Sequence, residues 1–218
     1  MIQAVIFDLD GVLVTTDDSH YEAWKQMADE EGIPFDRQIN QRLRGVSRME
    51  SLEIILEKSE RPYTQDEKRN LAERKNSYYV ALINQLTRDA LLPGALDTVH
   101  ALLDMGIRTA IGSSSKNAPA ILRQTGIARL FEAVADGNQI KHSKPDPEVF
   151  LLAASLLQLP AADCLVVEDA DAGVVAGARA GMPVLAVGAV AGHPLADLSA
   201  PTLADIDLAA WIRDYNRK

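Results

Sequence analysis

The amino-acid sequence predicts a doubly wound α/β domain, a parallel sheet with helices on both faces, and a helical domain inserted near its start. Two observations carry the first part. Ala4-Val5-Ile6-Phe7 is an unbroken apolar, β-rich run of the kind found in strands buried on both faces. Similar runs return at Arg108-Thr109-Ala110-Ile111, Cys164-Leu165-Val166-Val167 and Val184-Leu185-Ala186-Val187, with helical patterns between them, which is how repeated βαβ units read. A third observation carries the insertion. From about Thr16 to Arg88 the alternation stops, only helical periods remain, and most of the aromatic and long charged residues lie there.

Taken in chain order, the first strand ends at Asp8. The inserted domain is expected over residues 16–90, leaving 1–15 and 91–218 as a discontinuous core, with joints near Val14-Thr15 and Leu91-Leu92-Pro93-Gly94. Ser47 with Glu50, and Thr64 with Glu67, match the Ser/Thr-x-x-Glu capping box and mark two helix starts inside the insertion. Back in the core, Asn117 is placed to cap a helix beginning Ala118-Pro119, and Asp146 to cap one with Pro147 at its first position. Gly181 and Pro183 stop an Ala-rich helix before the run at Val184. The spacing of Gly173, Gly177 and Gly181 reads as close packing of that helix on the sheet, because the stretch is too short for a membrane span and lacks the order of a dinucleotide loop.

Composition narrows the function classes. Hydrophobic residues make up 47% and charged residues 24%, as in ordinary globular domains. With 31 Asp and Glu against 22 Lys and Arg, the formal charge of -9 opposes nucleic acid and anionic lipid, so neither is an expected partner and an anionic ligand needs locally placed cations. No run approaches the ~18 apolar residues of a membrane span. Met1 leads into a short apolar run without a basic start, and the lone Cys164 cannot form an internal disulfide and reads as a small core residue. A cytoplasmic address and a monomer are the expectations.

The residues that could carry chemistry fall at strand ends. Asp8 and Asp10 follow the first strand and, two apart on extended chain, point the same way. They read either as a solvated turn with an Asp cap or as carboxylates that share a cation or a proton. Glu168-Asp169 follows another strand in the same manner, and hard oxygen ligands of this kind suit Mg²⁺ with a substrate phosphate. Asp171 reads as a cap or pairing partner within the next helix. Gly112-Ser113-Ser114-Ser115-Lys116-Asn117 offers hydroxyls, backbone N–H groups and a helix start to an anion, or is a Ser-rich capping loop. Lys144 precedes a helix start, where a single Lys is ordinarily solvent-facing. Arg48 sits in the first turn of a capped helix, where it opposes the macrodipole and hints at an anionic ligand. His20 and Trp24, four apart, read as a packed pair, and Lys75 as part of a charged solvated face.

Together these residues resemble the haloacid dehalogenase superfamily, through Asp8-Leu9-Asp10-Gly11, Ser113, Lys144-Pro145 and Glu168-Asp169 over essentially the whole chain. The insertion resembles the helical cap of the β-phosphoglucomutase family, through Thr16, His20, Trp24, Arg44-Gly45-Val46-Ser47-Arg48, Arg74-Lys75-Asn76 and Ser115-Lys116-Asn117. Thr15 departs from the pattern, since many relatives have Asp there.

The resemblance implies a Rossmann-like core and a Mg²⁺-dependent phosphoryl transfer, with Asp8 as nucleophile and Asp10 as general acid and base. It implies that Asp8, the Asp10 carbonyl, Glu168 and Asp169 hold Mg²⁺, and that Leu9, Ser113, Ser114 and Lys144 bind the transferring phosphate. Substrate contacts are implied for Thr16, His20, Trp24, Gly45, Val46, Ser47, Arg48, Lys75, Ser115, Lys116 and Asn117. Interconversion of β-glucose 1-phosphate and glucose 6-phosphate through β-glucose 1,6-bisphosphate is the leading expectation. A sugar-phosphate phosphatase is the second, and a phospho-accepting receiver or sensing module is a third from a different class.

Overall fold

The fold was obtained as a computed structural model that describes residues 1–44 and 46–217. The first apolar run forms β1 (Ala4–Phe7), and its four residues alternate between two apolar clusters: Val5 and Phe7 on one face of the sheet, Ala4 and Ile6 on the other. That two-sided burial is why the run contains no polar position. The other expected runs form β2 (Arg108–Gly112), β4 (Cys164–Glu168) and β5 (Val184–Val187). Two short strands without a sequence-level expectation, β3 (Ala133–Ala135) and β6 (Leu198–Ala200), lie at the edges. All pairings are parallel, in the order β3-β2-β1-β4-β5-β6. The chain leaves β1 toward one edge and returns at β4 toward the other, so the crevice at the carboxyl ends of β1 and β4 is the ligand position of a doubly wound sheet.

Helices α5 (Ala95–Asp104), α6 (Ala118–Gln124) and α9 (Leu208–Tyr215) cover the Val5 face, and α7 (Glu148–Leu156) and α8 (Asp171–Arg179) the Ile6 face. Three local expectations need correction. Helix α7 begins at Glu148 with Pro147 in the capping position, although the Asp146 carboxylate still accepts from the Glu148 N–H at 2.9 Å. Asn117 precedes α6 as expected, but its side chain makes no cap bond and donates instead to Asn76. Gly177 does pack closely, since a Cβ there would lie 2.8 Å from Val184, whereas Gly181 is a turn residue at φ +72° with open space around it.

Between β1 and α5 the chain is helical: α1 (Asp17–Glu30), α2 (Arg37–Gln41), α3 (Arg48–Leu56) and α4 (Gln65–Ile83). Both expected capping boxes form, Ser47 with Glu50 on α3 and Thr64 with Glu67 on α4. These helices bury an apolar cluster of their own around Trp24, Met27, Phe35, Leu52, Ile55 and Leu71. The two connecting strands of chain run side by side: Val14 pairs antiparallel with Leu91, the Thr15 N–H donates to the Ala90 carbonyl at 2.8 Å, and the Leu92 N–H to the Leu13 carbonyl at 2.9 Å. Among the described residues no helix is long and apolar enough to cross a membrane.

Candidate active site

A cavity of about 510 Å³ lies between the carboxyl end of the sheet and the inserted helices. Its floor is set by strand ends. Asp8 follows β1, Ser113 follows β2, and Glu168 and Asp169 close β4; all four are buried. Lys144 is not solvent-facing: it is 1% exposed, and its ammonium donates to both Asp8 Oδ1 and Glu168 Oε1. A buried cation held between two carboxylates neutralises the floor without a solvent contact, which explains its burial. Burial alone would lower the Lys144 pKa, but the Asp8 and Glu168 carboxylates hold it above the usual Lys range. Burial raises Asp8 well above the usual carboxylate range, and the Lys144 charge offsets only part of this.

The remaining carboxylates are shaped by backbone. The second oxygen of Glu168 accepts from the N–H groups of Asp169 at 2.9 Å and Ala170 at 3.0 Å. A Cβ at Gly173 would lie 1.9 Å from that carboxylate, and a Cβ at Gly11, which has φ +86°, would lie 2.1 Å from an Asp169 oxygen. Both glycines therefore make room for the carboxylates. Burial, with Glu168 beside it, raises Asp169 to about 7, and Arg44 at 3.2 Å partly offsets this. A cluster of carboxylates in which burial makes Asp8 and Asp169 resist ionisation is a donor set that fits a hard divalent cation. Asp10 is also raised by burial, while its hydrogen bond from Thr16 opposes the shift. Thr16 is 1% exposed and its hydroxyl is committed to Asp10, so it positions that carboxylate instead of lining the cavity. The side chain of Leu9 is fully buried in the sheet-side core, which leaves only its backbone to face a phosphate.

The roof comes from α1, α3 and α4. His20, Trp24, Val46, Ser47, Arg48, Lys75, Asn76 and Tyr79 line it. The Ser47 hydroxyl accepts from Glu50 N as a helix cap. Gly45 lies outside the described residues. Lys75 is not on a solvated face: it is 2% exposed, with its ammonium 3.0 Å from His20 Nδ1 and over the rings of Trp24 at 4.7 Å and Tyr79 at 4.5 Å. Burial, then the charge of Arg48, lowers Lys75 to about 7. Burial together with Lys75 and Arg48 keeps His20 well below its usual value, so it is neutral at pH 7. The sequence carried a signal for Lys75, since Leu71, Lys75, Tyr79 and Ile83 form one buried stripe at four-residue spacing.

On the core side of the roof, Ser115, Lys116 and Asn117 line the cavity beside Ser113 and Ser114. Two of the loop's N–H groups are already used, Ser115 N on Ser113 Oγ at 3.1 Å and Asn117 N on Ser115 Oγ at 3.2 Å, so the loop offers side chains to an anion more than these amides. Contacts that sequence reasoning did not single out tie roof to floor: Ser143 donates to Glu50, and Arg44 reaches both Asp17 and Asp169. Asp171 starts α8 and meets His193 at 3.0 Å. Cys164 is a free, buried thiol.

Residues 2–181 match the haloacid dehalogenase-like hydrolases. The chain belongs to this family. It is 46% identical over 211 residues to a β-phosphoglucomutase of Bacillus subtilis (strain 168), spanning 95% of this chain and 92% of the relative. It is 30% identical over 183 residues to a phosphorylated carbohydrates phosphatase of Thermotoga maritima, spanning 83% and 82%. The crystal structure of a β-phosphoglucomutase from Clostridium difficile superposes with a TM-score of 0.93 at 38% identity, covering 100% of this chain and 98% of that one. In this chain the acidic floor and the basic side chains of the roof line one cavity.

Proposed function

We propose that this chain is a Mg²⁺-dependent β-phosphoglucomutase that interconverts β-D-glucose 1-phosphate and D-glucose 6-phosphate through an aspartyl phosphate on Asp8 and β-glucose 1,6-bisphosphate. The observation that carries the reading is a second group of anion-binding side chains, Arg48, Ser115, Lys116 and Asn117, in the same cavity as the Asp8, Ser113 and Lys144 floor. A mutase must hold a bisphosphate by either end, whereas a simple phosphatase needs one phosphate site. The 46% identity to the Bacillus subtilis relative supports the same choice.

In the reaction, an Asp8 oxygen attacks phosphorus and the bond from phosphorus to the sugar oxygen breaks. Asp10 gives its proton to that leaving oxygen. In the other half-reaction Asp10 takes the proton from the incoming sugar hydroxyl as it attacks the aspartyl phosphate, and Asp8 is regenerated. Its burial-raised pKa suits a carboxyl that must carry a proton part of the time near neutral pH. Lys144 and Ser113 steady the equatorial oxygens of the transferring group. Asp8, Glu168, Asp169 and the Asp10 carbonyl would hold Mg²⁺, whose charge lowers the barrier between anionic nucleophile and anionic phosphate. Gly11 and Gly173 support this placement by letting the Asp169 and Glu168 carboxylates approach the backbone closely. Neutral His20 and Lys75 face the sugar. Residues 16–90 act as a cap on the paired joints, excluding water so that the aspartyl phosphate passes to sugar. The enzyme is cytoplasmic and acts as a monomer.

The test is incubation with β-glucose 1-phosphate, Mg²⁺ and a trace of the bisphosphate, following glucose 6-phosphate and free phosphate separately, with Asp8→Asn as the inactive control. Glucose 6-phosphate as the dominant product is expected. Dominant free phosphate would move the assignment to a sugar-phosphate phosphatase, and no turnover of any sugar phosphate to a phospho-accepting module.

A further inference from the structure

Asn76, on α4, sits where three parts of the cavity meet. Its Oδ1 accepts from Arg48 of α3 at 2.8 Å and from Asn117, which precedes α6, at 2.9 Å. The orientation of its amide follows from chemistry. A guanidinium can only donate, so the atom facing Arg48 must be the oxygen, and the Asn117 atom meeting that same oxygen must be its NH₂. Arg48 is partly buried, which lowers its pKa, and no carboxylate of the described residues comes within 4 Å of it. A guanidinium partly withdrawn from water with one neutral acceptor is an incomplete ion site, and this one lines the cavity. Arg48 and Asn76 belong to the inserted helices and Asn117 to the core, so the shared oxygen also bridges roof and floor.

We infer that Asn76 is a positioning residue that holds Arg48 and Asn117 together as one clamp for the non-transferred phosphate, and so couples recognition of that phosphate to closure of the inserted helices over the sheet. The inference rests on the mutase reading, in which the substrate carries a phosphate that is not attacked. Asn76 need not touch substrate. Its oxygen fixes two donors at a shared point, so the phosphate finds them already aimed, and aligned donors lose less freedom on binding than loose ones. A carboxylate at this position would hold Arg48 more strongly but would repel the phosphate, which accounts for a neutral amide here.

The experiment compares wild type, Asn76→Ala, Arg48→Ala and the double variant on two reactions: use of β-glucose 1-phosphate, and labelling of Asp8 by acetyl phosphate, which carries no second phosphate. Asn76→Ala is expected to lower kcat/KM for the sugar phosphate by roughly 10- to 100-fold, through KM more than kcat, and by at least ~10-fold more than it lowers labelling. The double variant should lose clearly less than the product of the two single losses, because Asn76 acts in part through the Arg48 side chain. Equal losses on both reactions, or losses that multiply in the double variant, would overturn the inference. If Asn76→Ala does not fold, Asn76→Gln displaces the same oxygen by one methylene and makes the same comparison. Wild-type enzyme that releases phosphate without isomerising sugar would overturn the mutase reading, and the inference with it, because the only phosphate of such a substrate is the one attacked.

Discussion

Lys75→Met tests the electrostatics of the roof without touching the acidic floor. Folding moves the Lys75 ammonium from water to a site between His20, Trp24 and Tyr79 and lowers its pKa from the usual 10.5 to about 7. Between pH 7 and 10.5 the unfolded chain therefore holds a proton on Lys75 that the folded chain has released, and stability attributable to this group rises with pH across that window. Below pH 7 both states hold the proton and the full cost of burying the charge applies. At ~1.4 kcal/mol per pKa unit, the cost falls by at most about 4 kcal/mol between pH 6 and pH 10, and the two aromatic faces, which favour the cation, reduce this to about 2–4 kcal/mol. Methionine matches the stem and carries no charge, so Lys75→Met lacks this dependence. The assay is guanidinium unfolding of both proteins at pH 6 and pH 10, reading the change in their stability difference. Wild type should gain about 2–4 kcal/mol on the variant as pH rises. A stability difference that is the same at both pH values would refute the claim that folding discharges Lys75.

Asp10→Asn, which keeps shape and backbone carbonyl, should lower mutase turnover by roughly 10² to 10⁴ while rapid-quench labelling of Asp8 by acetyl phosphate, whose leaving group needs no proton, survives much better; a parallel fall in both would assign Asp10 to organising the metal site. Gly173→Ala places a methyl against the Glu168 carboxylate and should raise the Mg²⁺ concentration for half-maximal activity by roughly 10- to 100-fold, read from a Mg²⁺ titration beside the thermal unfolding curve. Because Asp169 is raised to about 7 without a cation, apparent Mg²⁺ affinity should fall by up to ~10-fold per pH unit below pH 7, measured from Mg²⁺ titrations at pH 5.5 to 7.5.

What the sequence discloses follows from which forces are local. β1 and the acids beside it are visible because a strand buried on both faces has no polar position, so the polarity change at Asp8 marks where the sheet ends and a ligand can begin. The capping boxes are visible because both partners lie within one turn. β3 and β6 are not, since three residues at a sheet edge carry no run, and their pairing depends on a neighbour already in place. Charged residues divide in the same way. Lys144 is read as solvent-facing when only its neighbours in sequence are weighed, because the carboxylates that hold it are 136 and 24 residues away. Lys75 lies between these cases: its burial is written in the Leu71, Tyr79 and Ile83 stripe, but its reason is not.

A cation at a core position of an amphipathic helix, with no acid to pair with, contradicts the pattern around it, and such contradictions persist where a ligand or a neighbouring group repays them. Arg48 contradicts its helix in another way, since at the amino end of α3 it opposes the macrodipole, and both residues line the same cavity. Arg48, a guanidinium that keeps its charge, is the group that specifies an anion there, whereas Lys75, whose pKa falls to about 7, faces the sugar side of the same space. The net charge of -9 on the chain makes that placement more informative, since the surrounding protein supplies no general attraction for phosphate.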